Sequence, residues 1–119
     1  MIEYTVQVYD SGNTFWLLNG ERHREGDKPA VEYASGAKEW CLNGERHREG
    51  DKPAIEYADG DKEWYLNGKL HREGDKPAVE RTDGYKAWHI NDELHRENGA
   101  AMEYVDGGQF WYLDGEQLS

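Results

Sequence analysis

An all-β architecture of tandem 24-residue β-hairpin repeats, forming an elongated, twisted antiparallel sheet or a short solenoid, is expected of this 119-residue chain. Trp recurs at 16, 40, 64, 88 and 111 and His at 23, 47, 71 and 95, so one motif returns at steps of 24 with a single step of 23. Inside each motif, polar and apolar residues alternate with a period of two between Gly-containing turn pairs. No segment has the 3.6-residue apolar spacing of a substantial helix.

The most complete unit runs from Pro53 to Lys76, PAIEYADGDKEWYLNGKLHREGDK. One unit earlier, Val31 and Tyr33 share one side of a strand, and after Ser35-Gly36 the residues Lys38, Trp40 and Leu42 share one side of the next. A two-residue loop at 35 and 36 predicts Val31 opposite Trp40 and Tyr33 opposite Lys38. Asn43-Gly44 suits a primed turn, because both residues tolerate positive φ, and it predicts Trp40 opposite His47. The two registers together put Val31, Trp40 and His47 on one aromatic face.

The same sets return as Ile55, Tyr57, Trp64, Leu66 and His71, and as Val79, Trp88, Ile90 and His95. Arg81 replaces the expected Tyr, and Asp92 replaces the turn Gly, so the fourth turn is expected to be looser or more strained. Met102, Tyr104, Trp111 and Leu113 restore the pattern before Asp114-Gly115. The short step arises where GDKPA at 74 to 78 becomes NGAA at 98 to 101. Pro29, Pro53 and Pro77 lack a donor and belong at strand starts or bulges. Roughly ten short strands in chain order follow, two per unit, with equivalent residues about 10 Å apart. Over residues 1 to 9 the parity of Ile2, Tyr4, Val6 and Val8 opposes that of Tyr9; an edge cap with a changed face and a bulged strand both satisfy it.

Composition narrows the partners. Hydrophobic residues are only 36% of the chain and the mean hydropathy is -1.10, but five Trp and eight Tyr can cover a sheet face with few side chains. A net charge of -11 disfavours direct nucleic-acid binding and adhesion to anionic membranes, and leaves a basic protein as a partner. The single Cys41 allows no intrachain disulfide and fits a reducing compartment. With no signal peptide and no apolar spanning run, a soluble cytoplasmic protein is expected.

The stretch WYLNGKLHREG, preceded by EYADGDKEW, resembles the MORN repeat (membrane occupation and recognition nexus) in its divergent bacterial variant. Trp64, Asn67, Gly68, His71, Gly74, Asp59 and Gly60 match that pattern, as do Trp40, Asn43, Gly44, His47, Gly50, Ser35 and Gly36. The resemblance covers residues 9 to 115 and implies a single MORN-like repeat domain over 1 to 119. It departs from the family in its Asp-Lys-Pro-Ala run, its 24-residue period and its acidity. What it implies is scaffolding, protein association or, in some members, lipid proximity; the acidic charge argues against lipid.

The four periodic histidines invite a metal reading. Ligands must converge within roughly 2 Å of one ion, whereas equivalent positions here lie about 10 Å apart. Packing of each His beside a Trp, with a ring nitrogen bonded to backbone or a nearby Glu, is expected instead. Acid-base catalysis needs one differentiated pocket, and a ladder offers nearly equal environments. Cys41 stands where Leu17, Tyr65, His89 and Tyr112 stand in other units, and the Gly residues recur as turns rather than as a phosphate loop. No catalytic residue, metal or cofactor is therefore expected. Arg24, Arg48, Arg72 and Arg96, each followed by Glu, form either a solvated, compensated face or a row that reads another protein.

Function is expected in the differences between units. Residues 93 to 119 hold six acids and only Arg96, while 69 to 92 balance at five each. Glu103, Asp106, Tyr112, Asp114 and Glu116 are the candidate partner-binding residues, and Trp16, Trp40, Trp64, Trp88, Trp111 and the four periodic histidines are structural. The expected role is an inhibitor or adaptor that binds a protein. The alternatives are an acidic nucleic-acid mimic occupying a basic groove, and a structural protein that self-associates through its repeat ends.

Overall fold

The computed structural model describes residues 2–118. It is all-β and elongated, 49 × 25 × 20 Å, and each unit folds as two short hairpins in succession. Around Trp40, Val31–Glu32 pairs with Lys38–Glu39, and Cys41–Leu42 then pairs with Glu45–Arg46. The first hairpins of successive units join edge to edge into an antiparallel ladder of ten strands in chain order, from Thr5–Val8 to Gln109–Phe110. Nine steps of about 4.8 Å cover about 43 Å, so the ladder sets the long axis. Roughly ten strands, two per unit, were expected in all; the ladder alone holds ten, and the outer hairpins bring the described residues to nineteen. The outer hairpins add further strands beside the ladder as two-stranded pairs, except in the first unit, where Thr14–Leu18 runs unbroken through both.

The register of the ladder hairpins corrects the expected one. Val31 lies opposite Glu39, not Trp40, and Glu32 lies opposite Lys38. The loop has three residues, Ala34 to Gly36, closed by Tyr33 N–H to the Ala37 carbonyl (2.9 Å) and Gly36 N–H to the Tyr33 carbonyl (2.9 Å). Gly36 at φ 100° supplies the left-handed residue of a G1 bulge, which a three-residue hairpin requires. A one-residue slip reverses every side chain, so Val31 and Trp40 face opposite sides rather than sharing one aromatic face. The outer register is the expected one: Asn43 (φ 52°) and Gly44 (φ 81°) form the two-residue turn, and His47 N–H donates to the Trp40 carbonyl at 3.1 Å.

The fourth outer turn is strained rather than looser. Asn91 and Asp92 keep the two-residue register with Asp92 at φ 75°, and the Asp92 carboxylate accepts the Leu70 N–H at 2.9 Å. At the N-terminus, Thr5–Val8 is a regular ladder strand with Val6 opposite Trp16 and Gln7 opposite Phe15. Gln7 thus takes the position of Val31, which makes the segment an edge cap with a changed face.

Between ladder and outer hairpin the chain leaves regular pairing at the Trp, whose N–H crosses to the next unit, as from Trp40 to the Ala54 carbonyl (2.7 Å). The core is thin and repeats along the ladder: Ala30, Val31, Ala54, Ile55, Ala78, Val79, Ala100 and Ala101 are buried, and so are Trp40, Trp64 and Trp88. Ala30, Ala54 and Ala78, each directly after a proline, are fully buried where one ladder hairpin meets the next. Alongside, Glu32, Lys38, Glu56, Lys62, Glu80, Lys86 and Glu103 oppose one another strand by strand, a row of alternating charge that favours this register.

Candidate functional site

The HREGDK segments are built as clamps between units. Arg24, Arg48, Arg72 and Arg96 each lay the guanidinium over the Trp of the same unit, 3.7 to 3.8 Å from the ring centroid. Arg48 also reaches back to Asp27 of the preceding loop (2.8 Å) and donates to the Pro53 carbonyl (3.0 Å) and Glu56 (3.1 Å). Arg72 repeats this with Asp51, Pro77 and Glu80, and Arg96 with Asp75, Ala100 and Glu103. These arginines are largely covered, Arg48 and Arg72 at 12% side-chain exposure, so little of each guanidinium is left to solvent. The carboxyls of Asp27 and Asp51 are held down at about 2, chiefly by hydrogen bonds from Arg48 and Arg72 and next by those from Lys52 and Lys76.

Each periodic histidine is a second clamp. Nδ1 of His23, His47, His71 and His95 accepts the backbone N–H of Asn43, Asn67, Asn91 and Asp114 in the next outer turn, at 2.9 to 3.0 Å. With Nδ1 accepting, the proton of the neutral ring sits on Nε2, which faces Glu25, Glu49, Glu73 and Glu97 respectively. The sequence led us to expect a ring nitrogen on backbone or on a nearby Glu; Nδ1 takes the backbone of the next unit, and Nε2 faces the Glu.

The other ladder face holds a polar core that the sequence reading missed. Glu39, 3% exposed, accepts Arg46 Nε (2.9 Å), the Tyr33 hydroxyl (3.0 Å) and the weak Cys41 thiol donor (3.7 Å), with Arg22 at 3.6 Å. Burial, reinforced by the Glu39 charge, pushes the Cys41 thiol up to about 12, so it stays protonated and is a poor nucleophile. His89 occupies the position of Cys41 two units on. Its Nδ1 is buried without a partner among the described residues, and burial lowers its pKa.

Loop spacing leaves one open groove between consecutive clamps. Three recur, of about 400, 320 and 320 Å³, floored by Trp40, Trp64 and Trp88. Their walls carry the Arg, His and Glu residues already engaged in the clamps. The three share one plan and differ where Cys41, Tyr65 and His89 line them in turn.

The five candidate binding residues all lie in the last unit, divided between its two hairpins. Glu103 belongs to the ladder, opposite Lys86 and bonded to Arg96, and Asp106 closes the ladder turn by accepting Gly108 N–H at 2.9 Å. Tyr112, Asp114 and Glu116 sit on the outer hairpin: Tyr112 is half-buried, Asp114 forms the turn at φ 50°, and Glu116 is exposed. Trp16, Trp40, Trp64 and Trp88 are clamped, but Trp111 is 38% exposed. Tyr104, Val105 and Phe110, which sequence reasoning did not single out as site residues, are exposed in the same unit. Their signal was their place in the last unit, whose ladder strand Gln109–Phe110 has a ladder neighbour on one side. No family model matches this chain, and no curated protein matches it.

Proposed function

We propose that the chain is a non-enzymatic protein-binding module, an inhibitor or adaptor, whose binding end is its last unit. One observation carries this reading: acidic side chains and uncovered apolar ones coincide there. Five of the ten large apolar residues exposed among the described residues, namely Tyr104, Val105, Phe110, Trp111 and Leu118, share the unit with Asp106, Asp114 and Glu116. Exposed aromatic and aliphatic groups supply contact area, and the surrounding carboxylates select a basic partner and speed its approach. The resemblance to MORN repeats supports a scaffolding or association role of the same kind.

The test is a binding measurement with the basic protein recovered on the immobilised chain. Trp111→Ala combined with Glu116→Lys is expected to weaken binding about tenfold or more, and raising the salt weakens it further. Glu21→Lys, the equivalent of Glu116 in the first unit, leaves affinity unchanged. Equal affinity for all three proteins would sink the proposal. Competition by added DNA or RNA would place the contact in the partner's nucleic-acid groove.

A further inference from the structure

The two ends of the ladder are the two halves of a junction that the chain forms four times internally. At each one the second ladder strand of a unit pairs antiparallel with the first strand of the next, as Glu39 with Ile55 and Lys38 with Glu56. The Trp N–H crosses to an Ala carbonyl, and the next outer turn donates to the preceding outer strand, as Gly68 N–H to the Arg46 carbonyl (2.9 Å).

Among the described residues, the last strand, Gln109–Phe110, has a ladder partner on one side only, and the first, Thr5–Val8, pairs only with Thr14–Leu18 and is exposed throughout. Phe110 holds the position of Glu39 and Gln7 that of Val31. The internal rule therefore pairs Phe110 with Gln7 and Gln109 with Val8, and sends the Trp111 N–H to the Val6 carbonyl.

The geometry points to a second copy of this chain as the occupant of that C-terminal edge, its first strand continuing the ladder head to tail. The inference rests on the last unit being the binding end and names the partner of its apolar edge. Continuity with the internal junction is one support. Another is where the uncovered apolar residues lie: of the ten exposed large ones, nine fall within residues 2 to 9 or 104 to 118. Such a contact is heterologous, so it adds copies in a row and does not stop at two.

Two copies each carrying -11 repel, so added salt strengthens this association, whereas it weakens the binding of a basic partner. Sedimentation velocity of the full chain from micromolar to millimolar, at low and high salt, is expected to show mass rising with concentration and with salt. Val8→Lys together with Gln109→Lys places like charges opposite one another at exposed edge positions and should weaken association about tenfold, while Val8→Lys with Gln109→Glu restores it. Circular dichroism of each variant confirms that the fold is kept. A wild-type monomer at every concentration and salt overturns the inference, as does a dimer indifferent to Val8→Lys. Val8→Lys alone leaves the last unit unchanged, so the two readings fail separately. A monomer that still captures a basic partner removes only the head-to-tail contact, and lost capture with intact self-association removes only the acidic-surface reading.

Discussion

Glu39 is one member of a position filled by Phe15, Glu39, Glu63, Ala87 and Phe110, and the facing outer-strand position holds Arg22, Arg46, Leu70, Leu94 and Gln117. A carboxylate buried to 3% is tolerable there because Arg46, Arg22 and Tyr33 all reach it. The fourth unit solves the same packing problem with Ala87 and Leu94. Arg46→Leu alone should cost about 2 kcal/mol by leaving Glu39 short of its best partner. Adding Glu39→Ala, which copies the fourth unit, should recover at least about half of that. Urea unfolding of the single and double variants measures both, and a double variant no more stable than Arg46→Leu would contradict the account. None of this was visible in the sequence, where strict alternation placed Glu39 on the polar side. The slip made by the Gly36 bulge turned it inward.

The two turn types differ in how plainly the sequence announces them. Asn43-Gly44 needs positive φ at both residues and so selects a single loop length, which is why the outer register and the pairing of Trp40 with His47 were legible. Ser35-Gly36 needs one left-handed residue, and that fits a two-residue loop or a three-residue loop with a bulge, so the ladder register was off by one. The clamps of Arg48 and His47 were hidden for another reason: their partners Asp27 and Asn67 lie about twenty residues away, in neighbouring units, where no pattern within one unit points. Asp92 tests the turn chemistry. Asp92→Gly relieves positive φ but deletes the bond to Leu70 N–H, for a net change within about 0.5 kcal/mol. Asp92→Ala loses the bond and keeps the strain, and should destabilise by about 1 to 2 kcal/mol. Thermal unfolding that ranks Ala as well as Gly would refute this.

Taken as one object, the molecule is a one-dimensional stack whose units are held by neighbours, so what weakens the clamps weakens the whole ladder. Asp27 and Asp51 connect acidity to that cooperativity. Their carboxyls sit at about 2 instead of the ordinary 3.8, so the stability they contribute is fully present above about pH 4 and is lost as pH falls through about 2. Acid titration followed by circular dichroism should show cooperative loss of structure in that window. Asp27→Asn with Asp51→Asn should lower stability at neutral pH and flatten the acid dependence; an unchanged dependence would assign acid sensitivity elsewhere. Both carboxylates are partly exposed, so salt screens the effect.

The uncovered Trp111 also gives the protein an optical address. Trp40, Trp64 and Trp88 are each 6% exposed under their arginines, so a collisional quencher in solution reaches Trp111 far more readily than those three. Its emission reports on the terminal edge while the clamped indoles report on the interior. Whatever settles on that edge, a copy of the chain or a foreign protein, announces itself in native fluorescence without a label.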